Sequence, residues 1–219
     1  MIGLDVGGYC GGCIERYAEY TGCTEIYSFE PHPKLFDKCQ TVADQCLKKN
    51  PNISIKVIKK ALYKDGEFEL NLDDNESSLF TESSNKLKIE SISFKTFLKE
   101  NNIKDKIHRI KMNCEGAEFV ILKDLIESNI VFDEILVQFH ERDDERNDLI
   151  KQFLDRNYIV WGQYRSHDVW PVWFSIARPN IKPQLVRGPI KIKRITNPYN
   201  KEEMKNPNPQ LIDPLFINL

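Results

Sequence analysis

Leu4-Asp5-Val6-Gly7-Gly8-Tyr9-Cys10-Gly11-Gly12, followed at a distance by Phe29-Glu30-Pro31, decides how this chain folds. A short apolar run ends in an acid and a glycine-rich bend, and the next apolar run ends in a lone glutamate. Glycines let a backbone approach a ligand closely and tolerate positive φ. A carboxylate at the tip of a second strand can accept both ribose hydroxyl protons. The pair of features suits a nucleoside-bearing ligand on an alternating α/β sheet. A dinucleotide fingerprint needs glycines at i, i+2 and i+5. Counting from Gly7, position i+2 is Tyr9, so a nicotinamide dehydrogenase is not expected. What stands here is Asp5-x-Gly7-x-x-x-Gly11.

The pattern around the bend alternates. Residues 2–6 read as a buried strand, 11–20 as a helix, 25–29 as a strand, and 33–49 as a helix with one apolar face. Residues 53–58 form a third strand. Over residues 64–94 the rhythm changes to a hairpin-like insertion, with strands at 68–72 and 87–93 around a polar loop at 73–85. Such an insertion lies over the strand tips, where open α/β sheets bind ligands. A helix at 94–101, a strand at 107–112, a helix at 116–128, a strand at 134–139 and a helix at 144–156 follow. Strands at 158–162 and 172–177 close the sheet as an antiparallel hairpin. Alternation of this kind implies a largely parallel sheet with helices on both faces.

The 219 residues, 41% hydrophobic, suffice for one sizeable core, and the formal charge of −2 offers no general attraction for nucleic acid or anionic membrane. No apolar run reaches membrane-spanning length, so neither a membrane span nor a secretory signal is expected. Six cysteines include Cys10-x-x-Cys13 without a second such pair or a nearby histidine, so no metal is expected. Reduced thiols and a cytoplasmic location are expected instead. The domain is placed at residues 1–178. Residues 179–219 form a Pro/Asn-rich tail with seven basic against three acidic residues, lying on the domain or partly disordered.

A second motif, Lys111-Met112-Asn113-Cys114-Glu115-Gly116-Ala117-Glu118, ends the fourth strand of the parallel series and opens a helix. The first bend resembles the opening motif of S-adenosylmethionine-dependent methyltransferases. With Phe29-Glu30-Pro31 and the second motif, residues 2–140 resemble the FkbM family of those enzymes. Asn113 stands where that family usually has Asp, and Gly8-Tyr9 where it usually has Ala-Asn.

The resemblance implies a Rossmann-like class I methyltransferase fold with a mostly parallel seven-stranded sheet, and S-adenosylmethionine as cofactor. It implies cofactor contacts from Asp5, Gly7, Gly8, Tyr9, Gly11, Glu30 and Asn113, with Ala61-Leu62 against adenine. It also implies oxygen methylation of a small-molecule or glycan acceptor. Asn113 and Glu115 are expected beside the transferred methyl. His140, at the end of the fifth parallel strand with Glu141 beside it, is the expected general base, since an imidazole titrates near neutrality. Glu115 and Glu118 can equally be read as first-turn acids that offset a helix dipole. His32 is expected to shape the loop after Glu30, and His108 to be structural. His167, Asp168, Trp170 and Trp173 are candidates for the acceptor pocket. An RNA methyltransferase and a non-catalytic nucleoside-binding module remain the alternatives. The first strand begins at residue 2, so a cover for the cofactor is expected from residues 64–94 and the tail, unless the chain is a module of a longer protein. Oligomeric state is left open.

Overall fold

The computed structural model describes all residues except 73–76, 79–84, 141, 166–167, 169, 184–185, 187–189 and 206–219. In chain order the elements are β1 (Ile2–Val6), α1 (Gly12–Tyr20), β2 (Glu25–Phe29), α2 (Pro33–Lys49), β3 (Ser54–Ile58), β4 (Ala61–Tyr63), β5 (Gly66–Leu72), β6 (Ser77–Ser78), β7 (Lys86–Ser93), α3 (Phe94–Glu100), β8 (Lys106–Met112), α4 (Glu118–Glu127), β9 (Val131–Gln138), α5 (Asp143–Asp155), β10 (Ile159–Arg165), β11 (Trp173–Ala177), β12 (Ile190–Ile195) and α6 (Lys201–Met204). Helix α2 shows how pattern becomes packing. Pro33 occupies its first turn, where a missing N–H costs nothing, and Cys39, Ala43 and Cys46, spaced by four and three, are its buried residues.

The main sheet has the order β12-β10-β11-β9-β8-β1-β2-β3. Five strands run parallel, from β9 through β8, β1 and β2 to β3. From β1 the chain winds outward to β2 and β3, then returns to the other side of β1 to lay down β8 and β9. The β1–β8 cleft is therefore the topological switch point, and an open α/β sheet binds ligands at the carboxyl end of such a cleft. Both sequence motifs end there. Register then brings side chains together: Asp5 is opposite Ser28 on one side and Lys111 on the other.

The insertion after β3 forms a second sheet, ordered β4-β7-β5-β6. Asp65, in the turn after β4, accepts hydrogen bonds from the Ser93 amide, the Ser93 hydroxyl and the Thr96 hydroxyl, which ties this sheet to the start of α3. The Ser93 amide is the main reason the Asp65 carboxyl lies below its ordinary value. Phe97 of α3 packs edge-on against both Tyr27 and Phe29 of β2, each at 5.1 Å between ring centroids. Most of the polar loop expected at 73–85 lies outside the described residues.

Among the described residues the main sheet has eight strands rather than the expected seven. The additional strand comes from the tail: Ile190-Lys191-Ile192-Lys193-Arg194-Ile195 pairs antiparallel with β10 along its whole length. Ile195 is fully buried, and the Tyr164 hydroxyl donates to the Met204 carbonyl at 2.9 Å. The alternating apolar and basic residues of this segment are a strand signal that its Pro/Asn-rich surroundings obscure.

A Cβ at Gly7, whose φ is +80°, would lie 2.0 Å from the Asn113 carbonyl oxygen, whereas at Gly12 it would meet nothing within 4 Å. Gly7→Ala is expected to lower stability by about 2 kcal/mol or more, and Gly12→Ala to be neutral or mildly stabilising, as read by urea unfolding.

Candidate active site

The bend after β1 is held from three directions. The Gly7 and Gly8 amides both donate to the Phe29 carbonyl, at 3.1 and 2.9 Å. Asp5, fully buried, accepts from the Ser28 hydroxyl at 3.0 Å and pairs with the Lys111 ammonium at 3.1 Å. Lys111 also donates to the Gly7 carbonyl oxygen. Burial works against the Lys111 charge, but the Asp5 carboxylate outweighs it and holds the ammonium above its ordinary value. Asp5 thus acts from beneath the bend and does not line the cavity above it. Gly11 likewise stands outside the lining, where it begins α1 with a φ of 82°.

The cavity above the bend has a volume of about 510 Å³, within the range of small-molecule sites. Gly7, Gly8, Tyr9, Glu30, Ala61, Asn113 and Glu115, all singled out in the sequence, line it together. Glu30 is 5% exposed and presents both oxygens: one accepts the Tyr9 amide at 2.8 Å, the other the His32 amide at 2.9 Å. Each carboxylate oxygen keeps acceptor capacity for a ligand hydroxyl. Burial pushes the Glu30 carboxyl up, against these two amides, which favour the charged form. Gly8 must be small, because a Cβ there would come 2.6 Å from the Ser28 hydroxyl oxygen. The buried Oδ1 of Asn113 has no hydrogen-bond partner among the described residues, an open position for a ligand donor. Ala61 and Leu62 of β4 and Leu70 of β5 bring apolar surface from the second sheet, so the insertion covers the cavity as its position foretold.

At the other end of the cavity, three charged groups adjoin. Glu118, fully buried at the start of α4, accepts the Gly116 amide at 2.8 Å, the His140 amide at 2.8 Å and faces His140 Nδ1 at 3.2 Å. His140 Nε2 lies 3.3 Å from Glu115. Burial opposes a charge on His140, yet hydrogen bonds to Glu115 and Glu118 and their negative charges override it and push its pKa up to about 10. An imidazole paired in this way differs from the free general base, titrating near neutrality, that the sequence led one to expect. The imidazole is a cation at neutral pH, both ring nitrogens face carboxylates, and it stands behind the cavity lining. Phe139 fixes the ring's approach by packing between Phe119 and Phe174, at 5.6 and 5.4 Å.

Lys111 lies inside the second motif, but only the register across β1 and β8 shows that it grips the bend. Gln138 and Trp173, directly opposite each other on β9 and β11, also line the cavity, whereas Trp170 is 43% exposed. Asp168 accepts the Arg165 amide at 3.0 Å, while Glu141 and His167 lie outside the described residues. The His32 amide shapes the loop at Glu30, and His108 Nδ1 accepts the Ile2 amide at 2.9 Å, away from the cavity. All six cysteines are free, and Cys10, Cys13 and Cys114 line the cavity. No helix among the described residues is long and apolar enough to cross a membrane.

Because His140 holds its proton more tightly in the folded chain than the ordinary value of 6.5, its contribution to stability is fully present below about pH 6.5. It is lost as pH rises through about 10. The stability gap between the native chain and His140→Gln, read by urea unfolding, is expected to be widest at about pH 6 and to narrow steadily from there toward that upper limit.

An FkbM methyltransferase from Methylobacillus flagellatus KT shares the fold, with a TM-score of 0.54 and 17% identity over 80% of this chain. The chain spans 42% of that protein's length. Weaker likenesses include the methyltransferase domain of METTL16 (TM-score 0.46, 10% identity, 83% of this chain and 61% of that one). Another is a precorrin-6y C5,15-methyltransferase from Geobacter metallireducens GS-15 (0.44, 10%, 81% and 79%). No curated protein matches the sequence. The methyltransferase FkbM domain model matches residues 5–160, from the buried aspartate of β1 into β10, and by that match the chain belongs to the FkbM methyltransferase family.

Proposed function

We propose that this protein transfers a methyl group from S-adenosylmethionine to a hydroxyl oxygen, on a sugar or glycan precursor. The observation that carries the reading is the pairing of two ends within one cavity: the Glu30 carboxylate over the glycine bend, and Glu115, Gln138 and Trp173 at the opposite end. Bound at the first end, S-adenosylmethionine supplies a carbon already activated by its sulfonium. Glu30 would hold the ribose hydroxyls, the Gly7-Gly8-Tyr9 backbone would admit the ligand closely, and Ala61-Leu62 would lie against adenine. Asn113, with its unpartnered amide oxygen, stands between the two ends.

The protein's task is then to hold the acceptor in line with the methyl and to exclude competing water. An aromatic face with polar groups beside it suits a ring that carries hydroxyls. Trp173 supplies the face, and Gln138 and Glu115 supply the polar groups. Six free thiols agree with a reducing, cytoplasmic setting.

Glu30→Ala is expected to weaken S-adenosylmethionine binding by at least about a hundredfold in calorimetry, the loss of two charge-assisted hydrogen bonds; unchanged affinity refutes the ribose assignment. A panel of free hexoses and hexose glycosides incubated with the native chain and S-adenosylmethionine should yield a product heavier by one methyl. Methylation of RNA in place of every sugar refutes the acceptor class.

A further inference from the structure

Any hydroxyl acceptor must lose a proton as it gains the methyl, and the cavity wall restricts where that proton goes. Among the described residues, two acids line the cavity, Glu30 and Glu115. Glu30 is engaged by two backbone amides at the ribose end. Burial pushes the thiols of Cys13 and Cys114 up, Cys10 belongs to the glycine bend at the Glu30 end, and Lys111 is a cation bound to Asp5. His140 lies behind the wall with both ring nitrogens on carboxylates.

We propose, resting on the hydroxyl-acceptor reading above, that Glu115 takes the acceptor's proton and that His140, anchored by Glu118, is the positioning residue that aims the Glu115 carboxylate into the cavity. Glu115 is 22% exposed on its side chain, enough to meet a ligand, and its backbone is in the left-handed region at φ 50°. A non-glycine residue persists there only when its surroundings over-determine it. The surroundings here are the fully buried Glu118, which ties down both the Gly116 amide after Glu115 and the ring beside it.

The charges also balance. In the step, an acceptor oxygen lone pair forms the bond to the methyl carbon, and the carbon–sulfur bonding pair returns to sulfur. The acceptor proton passes to Glu115. The carboxylate–imidazolium–carboxylate cluster begins with a net charge of −1, opposite a sulfonium of +1. It ends neutral, facing a neutral thioether. Charge is cancelled at both sites together, which favours the transition state in a cavity of low dielectric.

Nitrogen-15 NMR of the ring, with Glu115→Gln and His140→Gln as variants, tests the assignment. The native ring should carry protons on both nitrogens at about pH 8, above the ordinary histidine range. Glu115→Gln should bind S-adenosylhomocysteine within about twofold of native in calorimetry, yet lose about 10²–10⁴-fold in methyl transfer to the hexose panel, the usual contribution of a positioned base. His140→Gln should lower kcat by about tenfold with KM little changed, as expected of a group that aims the base rather than binds the acceptor. A neutral native ring, or native turnover in Glu115→Gln, overturns the assignment alone. A native chain that binds S-adenosylmethionine but methylates no hydroxyl overturns the acceptor reading, and the assignment of Glu115 with it.

Discussion

The Asp5–Lys111 ion pair is the constraint on which the site depends. It lies at the switch point of the sheet, where β1 meets β8, with Asp5 fully buried and Lys111 largely so. Removing one partner from a buried pair typically costs about 3–5 kcal/mol, because the other charge is left without compensation. Here the pair also has a directional task. Lys111 grips the Gly7 carbonyl while the Phe29 carbonyl grips the Gly7 and Gly8 amides, so both sides of the bend are fixed to neighbouring strands. The Tyr9 amide then falls on Glu30. Every group at the Glu30 end of the cavity inherits its position from that chain of contacts.

The opposite end is built on the same principle with different parts. Glu118 takes the place of Asp5 as the buried acid, His140 that of the cation, and Glu115 is the group presented to the cavity. In each case a non-glycine residue at the lining holds a left-handed backbone, Tyr9 at φ 51° and Glu115 at φ 50°. Such conformations are kept where the surrounding hydrogen bonds leave no alternative. Both carboxylates that line the cavity are thus fixed before any ligand arrives, and fixed charges need no reorganisation when the ligand's own charge changes.

The two outlying pieces of the chain are used differently. The small sheet of β4 to β7 extends apolar side chains over the cavity and is tied to the core through Asp65 and the start of α3. The strand β12 lies on the far edge of the large sheet, where it covers β10 and leaves Lys191 and Lys193 on the new edge strand. Charged residues on an edge strand discourage pairing with other chains.

The sequence by itself determined the alternating elements, the parallel sheet and the position of the glycine bend, because apolar periodicity and glycine placement are local signals. Glu30, Asn113 and Glu115 were equally legible, since the first two follow directly on strands that read clearly and the third lies in the motif that opens the next helix. The eighth strand was not, for its pairing partner lies about thirty residues upstream and its neighbours are prolines and asparagines. Tertiary structure alone decided which acids are ligand-facing and which are structural. Asp5 and Glu115 both stand at strand ends in the sequence. Register buries the first between Ser28 and Lys111, and a left-handed turn swings the second into the cavity. His140 makes the same point through charge: an imidazole reads as a base near neutrality in sequence, and two carboxylates brought from elsewhere in the fold make it a cation. Protonation depends on neighbours in space, and no periodicity in a sequence encodes them.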